Sequence, residues 1–126
     1  MLHEIGHALG FKDPFDGSPT LPTSETNSRY TVMSYDWFAG GPITPQLYDV
    51  AAIQYLYGKN NSTRTGNDTY SWESNATTGI FVPFQTIWDA GGIHTLSASG
   101  QTVDNTINFT PGFFSSIGPY WNLSLS

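Results

Sequence analysis

Two histidines and a glutamate near the start of the chain form the pattern with the clearest chemical meaning. His3 and His7 stand four residues apart, so on a helix both imidazoles project from one face and can reach a single metal ion. Glu4 lies one position round the helix, where it can act on a metal-bound water without being a ligand. Two surface histidines on an amphipathic helix would give the same pattern, and the residues that follow decide between the two interpretations.

The next residues offer a third ligand. Gly10 is a favourable helix stop, and in the long histidine motif of zinc proteases a glycine at this place turns the chain so that the ligand three residues later faces the metal. That position is Asp13, and a carboxylate is an accepted zinc ligand at about 2.0–2.2 Å. Asp13 could instead simply begin an Asp-Pro turn, and Asp16 is a rival ligand.

The composition excludes several functional classes. The chain has 126 residues, with 10 acidic and 4 basic side chains and a net charge of −6, so it lacks the basic patch that a nucleic-acid partner requires. Cysteine is absent, which excludes a disulfide-held scaffold and thiolate metal sites. No apolar run reaches the roughly 20 residues of a membrane span.

Because no apolar signal core opens the chain and the first helix is uncapped, we expect a piece of a longer protein.

The elements that must position these residues fall into two parts. A short helix is predicted over Met1–Gly10, with Leu2, Ile5 and Leu9 on its apolar face, and a loop over residues 11–30. The clearest helix runs over residues 44–58, with Thr44 as its cap, Pro45 at its first position and Gly58 at its end. Short strands are predicted within residues 80–92, 94–100 and 106–109. A boundary is predicted at residue 60, which separates a helical part, residues 1–60, from a β-rich part, residues 61–126.

A turn downstream of the histidines supports the metal interpretation. The segment Val32-Met33-Ser34-Tyr35 resembles the methionine turn of the metzincin proteases, a tight turn beneath the zinc site. On a wider comparison the chain resembles the serralysin-type zinc endopeptidases over residues 2 to about 100. The resemblance is carried by the segments HEIGHALG, YTVMSY, TPQLYDVAAIQYLYG, TRTGNDTY and WDAGG.

The resemblance implies a role for each matching residue of the first part. His3 and His7 would bind zinc, Glu4 would be the general base, and Met33 would underlie the site. Tyr35 would be an extra ligand that can swing to the oxyanion. The third ligand of serralysins is usually histidine, whereas Asp13 stands at that position here, as an aspartate does in the snapalysins.

The resemblance also implies a calcium ion where the protease meets its β-roll. The residues that match its ligands are Arg64, Gly66, Asp68, Asp89 and Gly91. Calcium prefers such oxygen cages, but the family's aspartate five residues after Asp89 is His94 here, and a neutral imidazole is a poor calcium ligand. Asp68, which follows Gly66 and Asn67, could compensate.

Together these features predict an α+β fold. It would hold the C-terminal half of a metzincin catalytic domain, with the active-site helix, the methionine turn and the C-terminal helix, followed by short strands of a β-roll or β-sandwich-like module. The predicted function is hydrolysis of protein or peptide substrates by a secreted zinc endopeptidase, of which this chain alone would have little activity. The alternatives are a non-catalytic secreted calcium-binding β module with a degenerate zinc site, and a cytosolic metal-binding protein with a chance likeness.

Overall fold

The computed structural model describes residues 1–36, 41–72, 84–118 and 120–126. Helix α1 spans Leu2–Ala8, a 3₁₀ turn spans Thr23–Glu25, and helix α2 spans Leu47–Tyr57. Five strands follow: β1 (Thr69–Ser71), β2 (Gln85–Ile87), β3 (Thr95–Ser97), β4 (Phe114–Ile117) and β5 (Tyr120–Leu125). The chain is therefore a small α+β protein, as the sequence predicts.

Helix α1 ends where the glycine signal places its end. Gly10 has a φ of 92°, which an L side chain rarely adopts, and the N–H of Phe11 returns to the Gly6 carbonyl at 3.0 Å. The predicted apolar face is wrong at Ile5, which is 48% exposed. Gly6 is the buried residue of this helix instead, because Met33 packs directly against it.

Helix α2 begins later than its sequence signals predict. Its cap is Gln46 rather than Thr44, because the Asp49 carboxylate accepts the Gln46 N–H at 2.7 Å and completes a capping box. Thr44 contacts the β-rich part instead, where its hydroxyl accepts the Thr86 N–H at 2.9 Å. The predicted end at Gly58 is confirmed, with a φ of 83°.

The strands form two small sheets. Strands β1 and β3 pair in parallel, and the other sheet has the order β2-β5-β4, with β2 parallel and β4 antiparallel to β5. Strands β2 and β3 lie within predicted strand segments, whereas residues 80–83 lie outside the described residues. The third predicted segment contributes one isolated bridge, between Thr106 and Ser116. Strands β1, β4 and β5 were not predicted.

The core of the β-rich part is built around Trp72, Ile87, Ile117 and Leu123, all less than 9% exposed. This part also bonds directly to the helical part, since the Gln46 side chain donates to the Phe84 carbonyl at 3.3 Å. The boundary at residue 60 stays a prediction.

In the part of the chain that the structure describes, neither α-helix has the length and apolarity that crossing a bilayer needs.

Candidate metal centre

Three side chains predicted as zinc ligands meet at one point beside α1. The Nε2 atoms of His3 and His7 are 3.0 Å apart, and each is 3.6 Å from Asp13 Oδ1. Ligand atoms about 2.0–2.1 Å from a tetrahedral zinc are themselves about 3.3 Å apart, so the three atoms have the spacing of one face of such a site. Asp16, the rival ligand, is not a member of this group among the described residues.

The backbone fixes how both imidazoles are oriented. His3 Nδ1 lies 3.1 Å from the Val32 carbonyl, and His7 Nδ1 lies 2.9 Å from the Phe11 carbonyl. Because a carbonyl can only accept, each Nδ1 carries the ring proton and donates it. In neutral rings both Nε2 atoms then direct lone pairs at the same point, which is the arrangement in which proteins present histidine to a metal.

Asp13 is also oriented as a ligand would be. Its Oδ1 atom is buried and has no hydrogen-bond partner, whereas Oδ2 accepts the Tyr35 hydroxyl at 3.2 Å. The Tyr35 ring lies over that of His3, with ring centroids 5.1 Å apart. Desolvation, followed by the charge and hydrogen bond of Asp13, raises the pKa of Tyr35. The hydroxyl is thus held protonated at the edge of the cluster, as a donor.

Glu4, the predicted general base, lies exposed on α1. It immediately follows His3 and is not among the three side chains that could hold a metal ion. Its place on the helix therefore differs from those of the candidate ligands His3 and His7, as its spacing requires.

Met33 lies beneath α1 and is 2% exposed. A Cβ added to Gly6 would overlap the Met33 sulfur, so the helix can lie on the methionine only because residue 6 has no side chain. This contact sets the packing distance between α1 and the methionine turn.

Asp49 is a residue of the site that the sequence argument missed. Its buried carboxylate accepts the Thr31 hydroxyl at 2.6 Å, the Val32 N–H at 2.8 Å and the N–H of Gln46. Burial raises the pKa of Asp49, and these three hydrogen bonds oppose the rise. Since the Val32 carbonyl in turn orients His3, Asp49 connects α2 to the metal cluster. The capping-box pattern of Gln46 and Asp49 was the signal that could have revealed it.

A cavity of about 440 Å³ borders the methionine turn at Thr31 and Met33. Its walls include Phe11, Leu21, Met33 and Tyr48. It is mostly apolar, and a cavity of this kind can accept an apolar side chain of a ligand.

The predicted calcium residues meet in part. Asp68, Asp89 and His94 form a second group whose candidate ligand atoms lie within 4.8 Å of one another. Desolvation opposes ionisation of Asp89, but hydrogen bonds from the Tyr70 hydroxyl and the Gly91 N–H, together with the neighbouring His94 and Arg64, outweigh it and lower the pKa of Asp89. Arg64, at a φ of 51°, directs its guanidinium to the Tyr70 hydroxyl at 3.1 Å.

Comparison with known proteins relates this chain to a family of metallopeptidases. The sequence model of the family "Peptidase M10 serralysin C terminal" matches residues 48–125. Serralysin from Proteus mirabilis is 34% identical over 94% of this chain, and Serralysin A from Dickeya chrysanthemi is 37% identical over 94%. Serralysin from Photorhabdus sp. (strain Az29) is 39% identical over 92%.

The chain belongs to the serralysin C-terminal family of the M10 peptidases. It spans 29% of the length of each of these three relatives. The resemblance stated from the sequence is thereby confirmed at the level of the family. The family match covers α2 and the strands, whereas the histidine motif and the methionine turn precede it.

Proposed function

We propose that this chain is part of a secreted zinc endopeptidase. It would contribute the C-terminal half of a metzincin catalytic domain and the start of a β-rich module. The observation that carries the proposal is the cluster of His3, His7 and Asp13, with both Nδ1 atoms held by backbone carbonyls and Asp13 Oδ1 buried without a partner. These residues fit zinc because two imidazoles and a carboxylate are a common catalytic donor set.

A bound zinc ion would supply a Lewis acid that acidifies water and polarises a scissile carbonyl. Glu4, exposed beside the cluster, would accept the proton of the attacking water and deliver it to the leaving amine. Tyr35, which now donates to Asp13, would turn its hydroxyl to the developing oxyanion.

The substrates would be proteins or peptides. The cavity bounded by Phe11, Leu21 and Met33 is proposed to accept an apolar side chain of the substrate. The relatives named serralysin suggest an extracellular location, which is proposed for this protein by resemblance.

The test is Glu4→Gln in the full-length protein that contains this chain. The variant should keep zinc and lose hydrolysis of a labelled protein substrate by at least about 10² fold, the usual scale of acid–base catalysis. Glu25→Gln is the matched control, because it makes the same chemical change at a residue whose carboxylate accepts the Tyr48 hydroxyl at 2.6 Å. Loss of zinc in Glu4→Gln would make Glu4 a ligand and contradict its assigned role.

The alternative function is a non-catalytic module that keeps a degenerate zinc site. It is favoured by the position of the family match, which lies entirely after the histidine motif. Under this alternative, the full-length protein would bind zinc and hydrolyse no labelled substrate even with Glu4 intact.

A further inference from the structure

Two segments of the β-rich part are joined closely to each other. The Thr63 carbonyl accepts the Ala90 N–H at 3.1 Å, and the Asp68 carbonyl accepts the Thr95 N–H at 2.9 Å. The Asn67 side chain accepts the Ile93 N–H at 3.0 Å. The segments 63–68 and 89–95, which the resemblance would join through calcium, are thus already joined by hydrogen bonds of their own.

The Asp89 carboxylate is engaged by protein groups on both oxygens. Oδ2 accepts the Tyr70 hydroxyl at 2.6 Å, and Oδ1 accepts the Gly91 N–H at 3.2 Å. His94 Nε2 lies 2.9 Å from the same Oδ1. A calcium ion, which takes six to eight oxygen ligands, would have to share Oδ2 with the Tyr70 hydroxyl. Because each carboxylate oxygen has about two lone-pair sites, the ion would have to displace the Gly91 N–H or His94 to bind Oδ1.

The Nδ1 atom of His94 has the opposite hydrogen-bonding role to the Nδ1 atoms of His3 and His7. Its Nδ1 atom lies 3.3 Å from the Asp68 N–H, which can only donate. Nδ1 therefore accepts, and in a neutral ring Nε2 carries the proton and faces the carboxylate. The contact of Nε2 with Asp89 is not aligned as a hydrogen bond, so its attraction is that of an N–H dipole beside an anion.

The ring also lies where the predicted calcium ligands converge. A Cβ placed on Gly92 would overlap the Gly66 carbonyl oxygen and lie 3.0 Å from His94 Cε1. The Gly66 carbonyl and the His94 ring therefore border the same face of Gly92. Asp68 and Asp89, two of the residues predicted to surround an ion, contact the imidazole directly.

We propose that the His94 side chain takes the place of the junction calcium ion, and that this protein joins segments 63–68 and 89–95 without a metal. The ring contacts the Asp68 backbone in the first segment and the Asp89 carboxylate in the second, and an ion at this place would join the same two segments. The inference does not rest on the zinc centre or on peptidase activity.

The test compares melting temperatures of the chain in metal-free buffer and in millimolar calcium. The parent chain should show no shift. His94→Asp, which restores a carboxylate, should be raised by about 5 °C or more by calcium, because a ligand that binds only the folded state stabilises it by mass action. His94→Asn is the matched control, because its side chain has a similar reach but no charge, and it should gain no response to calcium.

Three results would overturn the proposal. Calcium could raise the melting temperature of the parent chain, which would show that the ion binds beside His94. His94→Asp could fail to respond to calcium, which would show that the ring does not occupy an ion's place. Zinc could stabilise His3→Ala but not His3→Ala/His94→Ala, which would make His94 a metal ligand.

Discussion

The two histidine–aspartate clusters of this chain use the same residue types in opposite ways. In the first, the Nδ1 atoms of His3 and His7 donate to carbonyls, so both Nε2 atoms are left to face Asp13. In the second, the Nδ1 atom of His94 accepts an N–H, and Asp89 already has protein donors on both oxygens. We infer that the hydrogen-bond partners behind the side chains, rather than the side chains themselves, decide whether such a cluster is available to a metal.

The largest effect should follow removal of the carboxylate of the first cluster. Asp13→Ala should weaken zinc binding by more than about 100-fold, because loss of residues that merely orient a ligand already costs 10- to 100-fold. The measurement is competition with a chromophoric chelator. Asp16→Ala is the control and should bind zinc as the parent does. Equal affinities in the parent and Asp13→Ala would show that Asp13 only begins an Asp-Pro turn.

The connection from α2 to the first cluster can be broken at Asp49. Asp49→Ala should destabilise the fold by about 2 kcal/mol, because it leaves the Thr31 hydroxyl and two backbone N–H groups without their acceptor. Urea unfolding measures this, and Asp104→Ala, at an exposed position, should change stability little. If both variants lost the same stability, the buried carboxylate would not hold the methionine turn.

The close packing of α1 on Met33 is tested by Gly6→Ala. The new methyl group would overlap the Met33 sulfur and cost about 2 kcal/mol by overpacking, offset by about 1 kcal/mol of helix propensity. A net loss of about 1 kcal/mol is expected in urea unfolding. Gly91→Ala is the control, since a Cβ there meets no atom within 4 Å. A stabilised Gly6→Ala protein would mean that helix and turn are further apart than described.

The smallest effect should follow loss of the hydrogen bond between the C-terminal ends of α1 and α2. The Tyr57 hydroxyl donates to the Leu9 carbonyl at 3.0 Å in an exposed position, so Tyr57→Phe should cost about 0.5 kcal/mol. Tyr55, which is 89% exposed, gives the matched control, Tyr55→Phe. A loss above about 1.5 kcal/mol would show that this contact does more than a solvent-exposed hydrogen bond can.

The sequence predicted local features better than distant pairings. The α+β class and the glycine ends at Gly10 and Gly58 depend on nearby residues, and they could be predicted. The start of α2 could not be placed correctly, because Thr44 has the form of a cap but bonds to Thr86, a residue 42 positions away. Strands β4 and β5 also depend on partners across the sheet rather than on a clear period of their own.

In the candidate sites, too, local spacing was easier to predict than contacts between distant residues. The spacing of His3 and His7 predicts that they share a face, and the structure places Asp13 beside them. The contribution of Asp49 was missed because it acts through the backbone of Val32, 17 residues away. The departure at His94 was visible in the sequence, but only the contacts on both ring nitrogens indicate what the ring does there.

The most direct test is the number of zinc ions that the chain binds and which cluster holds them. We expect one ion per chain in the parent, one in His94→Ala, and none in His3→Ala, measured by elemental analysis after equilibrium dialysis against micromolar zinc. Two ions in the parent with one in His94→Ala, or one ion that persists in His3→Ala, would contradict this expectation.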